Sequence, residues 1–310
     1  MRRYVLLLLP LLLTACAVVE ADPGPYRLYN SHGKSVTLQE MTDDLCGYDV
    51  IVMGEWHGDP TLQALQVEIF EGLLQDDSPL TLSLEMYERD QQARLDSLQY
   101  GALDFDAFLA RPRTWPTLNK QLVKRAIEEH VRILAANVPR RYAARVAREG
   151  TDWLHELQQP ERRWIADSLH TWEGEYQLRF FATMTGEPEL SPDLPPGTRE
   201  MMHRMYAAQC LKDDTMAMSI VMSMVVSSHS HPRVLHVCGD FHSRAGLGTV
   251  ERLKQRLPRA RVAVITPVAA EDESLSLPAG AEQEGDYLIV LPRPEPAEDM
   301  PAAHPMPGME

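Results

Sequence analysis

Six short apolar runs, separated by longer stretches, constrain the fold of this chain more than any other feature of its sequence. Most runs are nearly continuous in Val, Ile, Leu and Ala instead of alternating with polar residues. Strands of this kind are buried on both faces, as in a parallel sheet covered by helices. The runs are Asp49–Met53, Leu80–Leu84, Arg132–Ala136, Arg233–Cys238, Arg261–Ile265 and Tyr287–Leu291. We therefore expect an α/β fold with a parallel sheet flanked by helices on both faces.

The stretches between the runs carry helix signals. Asp59 followed by Pro60 is a favoured helix start, because Asp caps the first turn and proline fits within it. Apolar residues then recur at helical spacing, at Leu62, Leu65, Ile69 and Leu73. A second stripe, at Leu118, Leu122 and Ala126, predicts another helix of the same kind.

Residues 139–228 are too many for one crossover helix and contain a Pro-rich break at 188–197. Helical spacing precedes the break, at Ile165, Leu169, Trp172 and Tyr176, and follows it, at Met202, Tyr206, Met216 and Ile220. We expect residues 139–228 to form a smaller helical subdomain. It would be inserted into an α/β core made of residues 47–138 and 229–292.

The N-terminus has the pattern of a lipoprotein signal peptide. Arg2 and Arg3 precede an apolar run, 5–13, that is too short for a stable membrane span. Leu13-Thr14-Ala15-Cys16 then resembles a bacterial lipobox, in which the cysteine sulfur receives the lipid. We predict residues 1–16 to be the signal ending at Cys16, the alternative being an ordinary secretory signal. Since Asp does not follow Cys16, the lipobox favours anchoring to the outer membrane, facing the periplasm.

The segments that flank the core lack periodic patterns. Residues 17–46 contain Asp22-Pro23-Gly24-Pro25 and are interpreted as a tether and entry segment, and residues 293–310, rich in Pro, Glu and Met, as a disordered tail. The formal net charge is −15, from 30 Lys and Arg against 45 Asp and Glu. This charge argues against nucleic acid as a partner, since binding it requires neutralising phosphates.

Polar residues follow two of the apolar runs in the same pattern. The chain reads Gly54-Glu55-Trp56-His57 after the first run and Gly239-Asp240-Phe241-His242 after the fourth. Residues two apart in an extended chain point the same way, so each motif pairs a carboxylate with an imidazole. Glu85 ends the second run, with Tyr87 two residues beyond it. Parallel strands share a direction, so these groups are expected to converge at the carboxyl edge of the sheet, where such folds bind ligands.

Gln209 and Asp213 lie within the apolar stripe that follows the Pro-rich break. Burying an unpartnered carboxylate costs several kcal/mol, so both side chains need a partner or a cavity. Two interpretations stay open: the pair lines the floor of the same pocket, or Asp213 bonds a nearby arginine such as Arg204.

These residues resemble the ordered motifs of ChaN-like proteins, haem-binding lipoproteins of the haem-binding uptake and Tiki superfamily. The matching segments are 54–57, 84–87, 136–140, Gln209 with 213–217, and 239–242. The resemblance implies haem as cofactor and a role in haem or iron acquisition or storage. It implies Tyr87, His57 and His242 as candidate iron ligands. The further cofactor-binding residues that it implies are Gln209, Asp213, Asn137 and Arg140.

The resemblance also bears on partners and on an alternative function. Its implied partners are the membrane, through the lipid anchor, and haem, with a second copy of the chain or a haem-uptake receptor left open. The alternative is a metal-dependent hydrolase, with Glu55 or Glu85 as general base. In that case a divalent ion such as Zn, Mn or Fe would be held by Glu55, His57, Glu85, Asp240 and His242. A third interpretation is a structural envelope lipoprotein whose site is vestigial.

Overall fold

The centre of the structure is one eight-stranded sheet. The computed structural model describes residues 24–76, 78–109, 119–229 and 231–292. The strands are β1 Arg27–Asn30, β2 Ser35–Val36, β3 Val50–Glu55, β4 Leu80–Glu88, β5 Arg132–Asn137, β6 Arg233–Gly239, β7 Val262–Ala269 and β8 Tyr287–Leu291. The helices are α1 Leu38–Leu45, α2 Pro60–Leu73, α3 Gln92–Gln99, α4 Phe105–Leu109, α5 Lys120–Glu128, α6 Arg140–Glu149, α7 Glu175–Thr185, α8 Pro196–Val225 and α9 Thr249–Arg256.

Six of the strands form the parallel sheet that the sequence predicts. The strand order is β2-β1-β8-β7-β3-β6-β4-β5, and the neighbours from β8 to β5 pair in parallel. All six predicted runs overlap these strands, so the predicted α/β class is confirmed. The sheet is also extended by β1, antiparallel to β8, and by β2, antiparallel to β1.

Strand β3 shows why the runs are apolar on both sides. Ile51 and Met53 pack in one cluster with residues of α1, α2 and α5, whereas Val50 and Val52 pack on α8 and α9. All four side chains have no solvent exposure. Each contributes about 1.5–3 kcal/mol through its removal from water. Helices therefore cover both faces of the sheet, as predicted.

The tether interpretation is wrong for the part of residues 17–46 that forms β1, β2 and α1. Met41 and Leu45 of α1 are fully buried in the core beside α2. Thr37 starts this helix with a capping box, in which its side chain accepts from Glu40 N–H and the Glu40 carboxylate accepts from the Thr37 backbone. Elements this short carry too few residues for a periodic pattern, so their burial comes from long-range packing.

Three helices, α6 to α8, lie between β5 and β6. The first half of α8 packs with α6 and α7, while Ala217 and Ile220 of its second half pack on the sheet. One helix thus belongs to both the core and the region 139–228, whose division into a subdomain stays a prediction. Cys16, residues 1–16 and the tail 293–310 lie outside the described residues, so the signal and tail predictions are not tested.

The helix predicted at Ile165, Leu169 and Trp172 is wrong, because α7 begins only at Glu175. Tertiary hydrogen bonds hold the preceding segment in an irregular conformation: Ala166 N–H donates to Thr215 Oγ1, and His170 N–H donates to Asp214 Oδ2. These bonds to α8 satisfy backbone groups that would otherwise pair within a helix. In the described part of the chain, no helix combines the length and the apolar character required to cross a membrane.

Candidate functional site

Three neighbouring strands, β3, β6 and β4, bring the predicted polar residues to one edge of the sheet. Glu55 at the end of β3 is in register with Gly239 at the end of β6. On the other side of β6, Glu85 Oε2 accepts a 2.7 Å hydrogen bond from Gly239 N–H. The parallel register therefore places Gly239 between two carboxylates, with Glu55 on one side and Glu85 on the other.

His242 lies between two buried carboxylates. Its Nδ1 is 2.7 Å from Asp213 Oδ1 and its Nε2 is 3.2 Å from Glu85 Oε1. Burial alone would lower the pKa of His242, but the negative charges of Glu85 and Asp213 raise it to about 10. The imidazolium at neutral pH therefore donates from both ring nitrogens.

His242, Glu85 and Asp213 form a buried triad, and its two carboxylates are held in their charged form. Burial opposes the ionisation of Glu85, but the charge of His242, its hydrogen bond and the His57 charge hold the pKa of Glu85 well below its usual range. The pKa of Asp213 is likewise lowered, chiefly by His242 against the effect of burial. Tyr176 Oη donates to Asp213 Oδ2 at 2.6 Å, and Thr249 Oγ1 donates to Oδ1 at 2.9 Å.

Gln209 and Asp213 thus face the cluster, one turn apart on α8. The Gln209 amide lies against the His242 ring, with Nε2 3.2 Å from the ring Nδ1. Arg204 instead bonds Glu200 and the Ala147 carbonyl oxygen. Of the two interpretations of Asp213, the structure shows the one in which it lies at the floor of the site.

His57 is the more accessible histidine of the site. Its side chain is 39% exposed, against 7% for His242, and its Nδ1 is 2.8 Å from Glu55 Oε1. The hydrogen bond to Glu55 raises the pKa of His57, and the nearby Glu85 charge adds to this against the effect of burial. The second carboxylate oxygen of Glu55 accepts from Gln66 Nε2 at 2.5 Å.

Gly239 has no side chain, which lets the His57 ring pack closely against the end of β6. A Cβ placed at Gly239 would lie 3.1 Å from His57 Nε2 and 3.6 Å from Glu85 Oε2. The Gly239 backbone, at φ −54° and ψ 138°, is one that any residue can adopt. Glycine is favoured here by the close approach of the imidazole rather than by its backbone conformation.

Aromatic side chains cluster just after the end of β6. Phe241, between the two polar residues of the second motif, has its ring centroid 5.3 Å from that of Tyr176 and 6.3 Å from that of Phe180. Phe241 is partly exposed, and the cluster behind it is buried. The edge of the sheet therefore carries a half-exposed imidazole after β3 and an aromatic cluster after β6.

Tyr87 does not join the other predicted ligands. The pairing of β4 with β5 shifts register between Leu84 and Glu88, and Tyr87 packs in the core beside Phe108, at 5.7 Å between ring centroids. Its hydroxyl is buried and has no hydrogen-bond partner among the described residues. Burial raises the pKa of Tyr87 far above its usual value, which disfavours the tyrosinate that iron would need. The irregularity in β4 breaks the simple two-residue alternation assumed from the sequence.

Asp240 also faces away from the cluster, in contrast to the expectation for the metal alternative. Its carboxylate forms an ion pair with Arg244, whose guanidinium also donates to the Pro267 carbonyl oxygen. The Asp240 backbone passes close to Gly54, where a Cβ would approach Asp240 Cα to 2.9 Å. Within the described ranges, no group of three His, Cys, Asp or Glu side chains is arranged to hold a metal ion. The interpretation as a divalent metal site is therefore not supported.

Asn137 and Arg140 lie at the same edge but two strands away from β6. Asn137 Oδ1 accepts from the neighbouring Val138 N–H at 2.8 Å, and Arg140 is exposed on the first turn of α6. Neither forms a described hydrogen bond with the cluster. Their assignment to cofactor binding stays a prediction.

Sequence reasoning did not identify four residues that support the site. These are Gln66, Asn119, Tyr176 and Thr249. Gln66 carried a usable signal, since it is a polar residue within the apolar face of α2, as Gln209 is in α8. Thr249 and Asn119 carried none, because a helix-start residue normally needs only a local explanation.

The comparisons with known proteins agree with this geometry. Residues 41–253 match the sequence profile described as haem-binding uptake, Tiki superfamily, ChaN. The chain belongs to this family. A solved structure showing cofacial haem binding to ChaN of Campylobacter jejuni is similar in fold, with a TM-score of 0.64 and 19% identity, over 86% of this chain and 96% of that chain.

Two further solved structures are similar at a lower level. The type III effector HopBA1 has a TM-score of 0.47 and 10% identity, over 82% of this chain and 93% of its own. RRSP, a MARTX toxin effector domain from Vibrio vulnificus, has a TM-score of 0.37 and 14% identity, over 81% of this chain and 42% of its own. Both similarities are too weak to indicate a function. No curated protein matches the sequence.

Proposed function

We propose that this protein is a haem-binding lipoprotein of the cell envelope that takes part in haem or iron acquisition or storage. The observation that carries the haem assignment is membership of a haem-binding family over residues 41–253. Bound haem supplies a ferric iron that accepts axial nitrogen or oxygen ligands. The fit of the site rests on the half-exposed His57 imidazole and on the partly exposed aromatic ring of Phe241.

Among the three candidate ligands, His57 is the one that we assign to the iron. Both ring nitrogens of His242 are engaged by buried carboxylates, so ligation there would break two ion pairs. The Tyr87 hydroxyl is buried in the core. His57 is half-exposed, and its Nδ1 is held by Glu55, as the second nitrogen of a metal-ligating histidine commonly is.

Hemin titration of the full chain in detergent tests this assignment. We expect a Soret band that saturates with hemin in the wild type, and its loss or a shift to lower wavelength in His57→Ala. Gly239→Ala should weaken hemin binding while leaving the fold intact, because its Cβ would crowd Nε2 on an unstrained backbone.

The matched control is His32→Ala, which removes an exposed imidazole on the turn between β1 and β2. It should bind hemin as the wild type does. Wild-type protein that gives no Soret change at micromolar hemin, under conditions in which albumin binds, would refute haem binding. Equal spectra for wild type and His57→Ala would move the ligand elsewhere.

The lipid anchor is proposed from the sequence. Leu13-Thr14-Ala15-Cys16 supplies the sulfur for acylation, and each buried methylene of an acyl chain contributes about 0.8 kcal/mol to membrane binding. We expect wild type to fractionate with the outer membrane and Cys16→Ser to lose acylation and leave it, as judged by mass spectrometry and membrane separation. Unmodified Cys16 in membrane-free wild type would exclude the anchor. A second copy of the chain and a haem-uptake receptor are the protein partners that we propose.

A further inference from the structure

Lys212 is a half-buried cation on α8, at the border of the His242 cluster. It comes directly before Asp213 and three residues after Gln209, which both face the cluster. On its other side, Ala208 and Leu211 pack with residues of α6. The helical spacing of these residues places Lys212 between the cluster and the start of α6, at the carboxyl edge of the sheet.

The ammonium group of Lys212 lacks a carboxylate partner. Its described hydrogen bond is to Gln209 Oε1, at 3.4 Å, and no carboxylate in the described part of the chain forms an ion pair with it. Other cations withdrawn from water are satisfied: Arg252 is paired with Asp214, and Arg89 donates to Ser219 and to two backbone carbonyl oxygens. An ammonium group has three N–H donors, so two of those of Lys212 are left for solvent or a ligand.

The carboxylates of the cluster are already occupied. Asp213 is ion-paired with His242 and accepts two further hydrogen bonds from hydroxyl groups. Glu85 is ion-paired with the same imidazole and accepts from Gly239 N–H. The positive charge of Lys212 is therefore not used to compensate the buried carboxylates.

The Gln209 amide fixes the position of Lys212 relative to His242. Because an ammonium group can only donate, the Gln209 oxygen must face Lys212 and its NH₂ group must face the ring. The amide nitrogen is 3.2 Å from one ring nitrogen of His242 and 3.3 Å from the other. Lys212 thus stands at the cluster with the Gln209 amide between its charge and the imidazolium.

We propose that Lys212 binds a carboxylate of the ligand, namely a propionate group of haem. Haem carries its two carboxylates on one edge of the macrocycle, away from the iron, so that a cation apart from the iron ligand suits it. A propionate would accept charge-assisted hydrogen bonds from the N–H groups that the protein leaves without a partner. This inference rests on the proposed haem binding, but not on which side chain ligates the iron.

Paired titrations with hemin and hemin dimethyl ester test this contact, because the ester keeps the iron and the macrocycle but has no carboxylate. The full chain in detergent is titrated with each, and binding is followed by the Soret band. We expect Lys212→Met, which keeps the length of the side chain and removes its charge, to raise the hemin Kd by roughly tenfold, between the usual effects of exposed and of charge-assisted contacts. The Kd of the ester should not change.

Two further variants control for charge and for position. Lys212→Arg keeps the cation and should keep the preference for hemin over its ester. Lys124→Met removes the same charge from an exposed position on α5, which packs on the opposite face of the sheet. It should bind both ligands as the wild type does.

Protoporphyrin IX, which has both carboxylates and no iron, separates the two proposals. Its binding, followed by fluorescence, should also weaken in Lys212→Met. Such Lys212-dependent binding by a protein that does not bind hemin would support the carboxylate contact and refute the binding of haem through its iron. An unchanged hemin Kd in Lys212→Met, or an equal loss for hemin and its ester, would overturn the contact while haem binding stands. A wild type that binds none of these porphyrins would overturn both proposals.

Discussion

We expect His242→Leu to lower the free energy of unfolding by about 3–5 kcal/mol, the usual cost of removing one partner from a buried ion pair. Leucine would leave Glu85 and Asp213, which lie 3.2 and 2.7 Å from the His242 ring nitrogens in the wild type, buried with no cation between them. Chemical denaturation followed by circular dichroism measures this loss. Leucine fills much of the space of the imidazole, so the loss of stability would come from the uncompensated charges and not from a cavity.

Two further variants identify the cause of that loss. His155→Leu removes an exposed histidine and should cost little. Adding Glu85→Gln and Asp213→Asn to His242→Leu should recover part of the stability, since the buried negative charges are then gone. If His242→Leu costs no more than His155→Leu, the triad does not stabilise the fold.

The second large effect is a loss of stability at alkaline pH. His242 has a pKa of about 10 in the folded protein, because the charges of Glu85 and Asp213 outweigh the effect of burial, whereas an unfolded histidine titrates near 6.5. Between these values the folded state holds a proton that the unfolded state has released. The stabilisation is therefore complete below pH 6.5 and is lost as the pH rises through about 10. The slope approaches about 1.4 kcal/mol per pH unit within this window.

Unfolding free energies measured from pH 6 to 10.5 test this expectation. His242→Gln, which cannot be protonated, should remove most of the slope. His57→Ala should retain most of it, since His57 is partly exposed and bonded to one carboxylate. A wild-type slope that persists in His242→Gln would place the titrating group elsewhere.

The strands and the main motifs were predictable because their signals are local. Continuous apolar runs such as Val50–Met53 report burial on both faces, and parallel register alone then brings Glu55 and Gly239 to one edge. The interpretation of Asp213 was also open to prediction, since a carboxylate within an apolar stripe requires a buried partner. Which partner it had could not be predicted, because His242 is separated from it by the whole of β6.

Tyr87 and Asp240 show where pattern reasoning failed. Two-residue alternation places Tyr87 beside Glu85, but the register shift before Glu88 turns its ring into the core. Asp240 has the same position in the second motif as Glu55 has in the first. Its carboxylate nevertheless forms an ion pair with Arg244, four residues later. Equal motifs therefore do not imply equal side-chain directions.

The amino-acid sequence by itself determined the α/β class, the order of the six parallel strands along the chain and the family, because these depend on residue periodicity and motif order. Only the tertiary structure decided which imidazole is enclosed and which is accessible. His242 is surrounded by Glu85 and Asp213, from two distant elements, while His57 is bonded to Glu55 and is partly exposed. The physical reason is that protonation and access depend on charges and packing from residues far away along the chain, and no local pattern records them.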